Sequence, residues 1–144
     1  MFNVTSGSIV VSDPCYRQEH SEPAKNGRWV AKVDKTELGF WGNRVSRITV
    51  HHEGWSPTRT QRTKHVNLSV DSGQMGVFDH FVYGGGNDDA FYDTCCTATL
   101  GSRGFGFVEG GFVSSSGIGD GCYSGVMWLE SGKVVAVEVE FLTD

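Results

Sequence analysis

Proline, alanine and leucine are scarce in this chain, and its second half is nearly bare of positive charge. There are three prolines, five alanines and five leucines in 144 residues. With so few strong helix formers, a helical bundle is excluded. No apolar run approaches the roughly 18 residues that a membrane-spanning helix requires. The N-terminus, Met1 to Ser8, lacks a basic segment followed by an apolar one, so no secretory signal is expected. None of the four cysteines, Cys15, Cys95, Cys96 and Cys122, stands in a C-x-x-C pair, and no His pair at ligand spacing accompanies them. A structural zinc site therefore has no signal in the sequence. Reduced thiols and a cytoplasmic location, in a bacterium or a phage-infected host, are the expectation.

Valine and glycine are abundant. Eighteen valines dominate the apolar residues, and Val, Ile and Thr total 31 against ten for Ala and Leu. Branching at Cβ suits a pleated strand and restricts χ1 in a helix. Twenty glycines without a three-residue period exclude collagen and point to many turns and close backbone approaches. A single mainly β domain over residues 1–144 is expected, as an antiparallel sandwich or a partly open barrel. Alternating patterns predict strands over 8–12, 28–34, 44–52, 65–70 and 77–82. A glycine-studded strand is expected over 104–113, and a hairpin from 122–130 and 133–142 across Ser131-Gly132. One helix is predicted over 87–100, capped by Asn87 or Asp88 and stopped by Gly101, with Cys95 and Cys96 as small core residues.

The net charge of −5 is unevenly divided. Residues 1–65 hold ten Lys/Arg and six Asp/Glu, while residues 66–144 hold two and eleven. Arg44, Arg47, Arg59, Arg62 and Lys64 cluster in the first half and form a candidate anion-contacting segment. The competing reading is a solvated strand pair whose charges face water or acidic neighbours. The acidic total, with a pI near 5.5, disfavours nucleic acid as the main partner.

Three polar, glycine-bearing clusters stand beside strand ends. They are Ser12 to Arg17, Asp71 to Asp79, and Ser114 to Tyr123. Each is also an ordinary turn sequence, because Asp accepts backbone N–H groups and Gly allows positive φ. If sandwich loops bring them together, Asp13, Tyr16, Arg17, Asp71, Gln74, Asp79, Gly119, Asp120 and Tyr123 are the candidate ligand-binding residues. The aspartates are oxygen ligands of the kind Ca²⁺ or Mg²⁺ accepts, but their spacing matches no EF-hand, so the metal question stays open. Neither a P-loop nor a dinucleotide fingerprint is present, and no cofactor is implied. Cys15, in a turn beside Arg17, is a weak candidate nucleophile with no base placed beside it by sequence.

Taken in order, Ser12-Asp-Pro-Cys-Tyr16, Asp71-Ser-Gly-Gln-x-Gly-x-Phe-Asp79, a helix with Phe91-Tyr-Asp-x-Cys95, and Ser116-Gly-x-Gly-Asp-Gly-x-Tyr123 form a pattern. It closes with a valine-rich strand ending in Phe141. The pattern resembles a loosely defined family of small, uncharacterised β-rich proteins of phages and bacteria. The resemblance spans Ile9 to Phe141 and is thin between Trp29 and Lys64. It brings no established activity. It implies a cytoplasmic β protein, a phage origin, and action by binding, either to a host protein or to a nucleotide-like signal. Three functions follow. The first is a non-catalytic binding protein for a small polar or anionic ligand. The second is an interaction module or inhibitor of a host protein. The third is a hydrolase using Cys15 or an Asp-bound metal. No membrane partner is expected, and valine-rich edge strands favour a homo-oligomer.

Overall fold

The computed structural model describes residues 1–17, 20–57 and 61–142. Eleven strands and one helix follow one another among these residues. The strands are β1 (Phe2–Val4), β2 (Ser8–Ser12), β3 (His20–Pro23), β4 (Gly27–Glu37), β5 (Asn43–His52), β6 (Arg62–Val70), β7 (Gln74–Asp79), β8 (Phe105–Val108), β9 (Gly111–Ser115), β10 (Gly121–Glu130) and β11 (Lys133–Glu140). The helix, α1, is Asp89–Leu100. The strands form two antiparallel sheets, in the orders β1-β4-β5-β11-β10-β6 and β3-β2-β7-β9-β8. The sheets face each other as a sandwich, and neither closes into a barrel.

Alternation along the strands builds the core. Ile48 and Val50 on β5, Val66, Leu68 and Val70 on β6, and Val137 and Val139 on β11 point inward from the larger sheet. Ile9 and Val11 on β2, Met75 and Val77 on β7, and Phe112 on β9 meet them from the smaller one. Trp29 on β4 is fully buried in this layer, and its indole N–H donates to the Lys25 carbonyl at 2.9 Å. That bond removes the cost of burying the indole nitrogen. Intervening residues of the smaller sheet face the other way, where α1 lies. Phe78, Val113 and Cys95 form a second small core with Phe91 and Ala98 packed on it.

The helix begins as its residues dictate. Asp88 is extended, and its carboxylate accepts from the N–H groups of Ala90 and Phe91 at 3.0 and 3.2 Å. Such a cap satisfies two of the donors a helix leaves unpaired. The run expected as one strand over 104–113 is two strands, because Glu109-Gly110 turns the chain back with Gly110 at positive φ. The strand expected over 77–82 is Gln74–Asp79, with the turn starting at His80. β1 and β3, of three and four residues, carry too little pattern to stand out.

Trp29→Ala is expected to cost about 3–5 kcal/mol, because it leaves a cavity between the sheets. A urea midpoint unchanged from the parent chain would show that this layer is not the core.

Candidate functional site

Asp13 follows β2 and is fully buried. Its Oδ1 accepts from the Cys15 N–H at 2.9 Å and the Ser72 hydroxyl at 2.5 Å. Its Oδ2 accepts from the Asp71 and Ser72 N–H groups at 2.8 and 2.7 Å. Four donors fill the carboxylate, which is what a buried charge requires. The first two sequence clusters are thereby joined across 58 residues of chain. The Tyr16 hydroxyl donates to Asp71 Oδ2 at 2.5 Å, and this bond raises its pKa above the ordinary phenol value. The Tyr83 hydroxyl is aimed at the carbonyls of Asp13 (3.0 Å) and Tyr16 (2.6 Å), and burial pushes its pKa up to about 12.

The network continues onto α1. The Gln74 amide nitrogen donates to Ser72 Oγ and to Cys96 Sγ, both at 3.4 Å, while its oxygen accepts from the Thr99 hydroxyl at 3.1 Å. Tyr92 lies beside Cys96 and Ser72, and burial first, then Cys96, raises its pKa. Tyr83, Tyr92 and Cys96 lie outside the glycine clusters: Tyr83 stands in the turn after β7, Tyr92 is visible in the sequence only on a helix face, and Cys96 only as a small core residue.

The third cluster reaches the same end of the sandwich. The Ser116 N–H donates to the Gly73 carbonyl, and Gly121 pairs with Val70, the neighbour of Asp71. Its Tyr123 is turned inward against Phe141, and its hydroxyl donates to the Gly119 and Ser116 carbonyls at 2.6 and 3.2 Å. Tyr123 and Gly119 therefore lock their own turn, and Asp120 is left exposed.

Asp79 lies at the opposite end of β7. It accepts from the N–H and hydroxyl groups of both Thr5 and Ser6, at 3.2 and 3.0 Å and at 3.3 and 2.5 Å. Burial alone would raise its pKa, but these four bonds outweigh burial and hold it below the ordinary carboxylate value. The basic segment does not converge either. Arg47 donates to Asp34 at 3.0 Å, Lys64 to Glu22 at 2.6 Å, and Arg44 to the Trp41 carbonyl at 2.7 Å. Arg62 is exposed, and Arg59 lies outside the described residues. Arg62 and Lys64 do line an open groove of about 750 Å³ that also carries Glu130 in its wall. With Lys64 already matched and a carboxylate present, that groove is a poor anion site.

Two smaller hollows flank the Gly84–Gly86 segment, and Asn87 lines both. The first, about 220 Å³, lies between the Pro14-Cys15 turn and the start of α1, with Tyr92, Asp88 and Asp89 in its wall. The second, about 390 Å³, is lined by Arg17, His80, Tyr83 and Val10. The segment between them must be glycine at Gly86. Its φ is +80°, and a Cβ there would stand 2.7 Å from the Arg17 nitrogen.

Cys15 opens onto the first hollow as a thiol. Burial, then the neighbouring Asp13 carboxylate, push its pKa up to about 12. Three of the five histidines are engaged elsewhere, and His80 lines the second hollow. His20 Nε2 meets the Asn67 carbonyl, His51 Nδ1 meets the His52 carbonyl, and His52 Nδ1 accepts from the Gly54 N–H. Among the described residues, no three His, Cys, Asp or Glu side chains gather so as to hold a metal ion. Compared with known proteins, the chain matches no family model, no curated protein and no solved structure.

Two outcomes follow. Asp79 contributes stability above the ordinary carboxylate pKa of about 3.9, and that contribution is lost as pH falls through its depressed value. Urea midpoints between pH 7 and pH 3 are expected to fall less steeply in Asp79→Asn than in the parent; parallel slopes would refute the assignment. For Cys15, the thiolate population at neutral pH drops on the order of a thousandfold against an ordinary thiol. Iodoacetamide labelling with peptide mapping is expected to leave Cys15 unmodified under conditions that alkylate a free thiol, and rapid labelling would contradict this.

Proposed function

We propose that the protein binds a small polar molecule without transforming it, and that the ligand lies across the Gly84–Asn87 segment. The observation that supports this most directly is the pairing of two hollows around one glycine-rich segment. One is edged by the carboxylates of Asp88 and Asp89, the other by Arg17 and His80. A ligand with hydroxyl or amino groups on one side and an anionic group on the other meets both. A purely anionic nucleotide would face Asp88 and Asp89 in the first hollow, at a like-charge cost. The sequence-based expectation of a polar or anionic ligand is thereby narrowed to one carrying both kinds of group.

The surroundings favour binding over chemistry. The Cys15 thiol is held protonated, and an activated nucleophile needs the opposite. The hydroxyls of Tyr16 and Tyr83 are committed to Asp71 and to backbone carbonyls. Asp13, the carboxylate nearest Cys15 in sequence, has its acceptor positions filled. What remains open to a ligand is a rim of fixed donors and acceptors on a floor that hydrogen bonds hold still, the arrangement that lowers the ordering cost of binding.

Native mass spectrometry of the chain purified from cells, before and after denaturation, tests the reading. A small molecule released on denaturation is expected. Its occupancy is expected to fall about tenfold to a hundredfold in Arg17→Ala and in Asp89→Ala, each of which removes a charged contact. Both residues are exposed, so neither variant threatens the fold. An empty parent protein, or full occupancy in both variants, would overturn the assignment.

A further inference from the structure

The β4–β5 hairpin outruns its neighbour. Pairing of β5 with β11 ends at Arg47, whereas pairing with β4 continues to Asn43. Four more residues at about 3.3 Å each carry the turn roughly 13 Å further out. The tip is a tight 3-10 turn over Gly39–Trp41, closed by bonds from the Trp41 N–H to the Leu38 carbonyl and from the Leu38 N–H to the Gly42 carbonyl. Arg44 braces it by donating to the Trp41 carbonyl at 2.7 Å. On this ordered tip Phe40 is 99 % exposed and Trp41 59 % exposed, packed edge-on to each other with centroids 6.3 Å apart. Ile118, in the turn before β10, and Leu100, the last residue of α1, are exposed at 59 % and 83 % at the same end. A rigid turn that holds two large aromatic rings in water is a costly arrangement for a monomer in solution.

The charges around the tip have one dominant sign. Lys35 and Arg103 both stand over the Phe105 ring, at 5.5 and 4.7 Å from its centroid, and Arg44 is at the turn. Glu37 is the one acidic residue between Lys35 and Arg44. Asp71 follows β6, three strands from β5, and Asp120 precedes β10, two strands from β5. Strand spacings of about 4.8 Å put Asp71 roughly 14 Å and Asp120 roughly 10 Å from the line of β5, beyond the Debye length of about 8 Å in physiological salt. Asp34, next to Lys35, is paired with Arg47, and Glu140 on β11 stands opposite Arg47, roughly 13 Å short of the turn.

We propose that this tip docks on an anionic lipid bilayer. Phe40 and Trp41 enter the interface, and Lys35, Arg44 and Arg103 face the headgroups. Aromatic rings favour the bilayer–water boundary, and neighbouring cations add attraction to anionic lipid. A convex aromatic tip needs no matching pocket in such a surface, whereas a protein partner would have to supply one. No helix among the described residues is long and apolar enough to cross a membrane, so the contact is peripheral.

Co-sedimentation of the full chain with phosphatidylcholine vesicles, with and without phosphatidylglycerol, tests the proposal. Binding is expected to the anionic vesicles only and to weaken at high salt. The Phe40→Ala/Trp41→Ala and Lys35→Glu/Arg44→Glu variants are each expected to lose about tenfold or more in partitioning. Vesicles are expected to blue-shift the parent's tryptophan fluorescence, and the conservative Trp41→Phe variant to lose that shift. Arg17→Ala is expected to bind vesicles as the parent does, which separates this surface from the ligand hollows. Absence of binding to anionic vesicles by the folded parent, as a protein-docking tip would show, or unchanged binding in the aromatic double variant, would overturn the proposal.

Discussion

Two buried aspartates, placed reciprocally, clasp two of the four links by which the chain changes sheet. β2 and β7 are adjacent antiparallel strands of the smaller sheet, and each is reached from a strand of the larger one. The link from β6 to β7 is clasped by Asp13, at the end of β2. The link from β1 to β2 is clasped by Asp79, at the end of β7. Each carboxylate receives four hydrogen bonds: at Asp79 two backbone N–H groups and two hydroxyls, all from the link, and at Asp13 two N–H groups and one hydroxyl from the link, with the Cys15 N–H of its own turn as the fourth. A buried carboxylate that lost these donors would carry a large desolvation cost, so each clasp is close to all-or-none. The relative placement of the two sheets thus depends on polar contacts at both ends of one strand pair, with the apolar layer between them filling the space those contacts define.

The site follows from the Asp13 clasp. Fixing the Asp71-Ser72 turn beside the Pro14-Cys15 turn puts Tyr16 next to Asp71, and Ser72 within reach of Gln74 and Tyr92. Gln74 then reaches Cys96 and Thr99 on α1, so the helix is attached to the same hydrogen-bonded network as the sheet crossing. The hollows beside the Gly84–Gly86 segment inherit their walls from this network. Their shape is therefore a consequence of the fold's own closure, and a ligand would find them preformed.

This logic explains what the sequence revealed and what it hid. Valine alternation over 44–52 and 133–142 announced half-buried strands, and Asp88 before an apolar-periodic stretch announced the helix, because both signals are local. β3, His-Ser-Glu-Pro, has no apolar residue to betray it, and Glu109-Gly110 hid a turn inside a run already rich in glycine. Asp13 and Asp79 stood out as polar residues that wanted a purpose. Their partners lie 58 and 73 or more residues away in the chain, so pattern could not distinguish a clasp from a ligand contact. The basic stretch misled for the same reason. Arg47 and Lys64 find Asp34 and Glu22 only once β5 and β6 have neighbours.

The sandwich also manages its edges, and this constrains where anything can bind. At the β6 edge, His20 Nε2 meets the Asn67 carbonyl and Glu22 pairs with Lys64, so β3 of the opposite sheet leans across the open strand. α1 packs over β8, where a Cβ at Gly106 would stand 3.2 Å from that of Ala98. β1 is only three residues long. Short, charged or covered edges are poor templates for strand addition, which weakens the case for an oligomer built by edge pairing. The hydrogen-bonded turns, the first hollow and the aromatic finger sit at one end of the sandwich, whereas the second hollow runs along β2 toward His80, and the exposed Phe81 lies just past β7 at the other end.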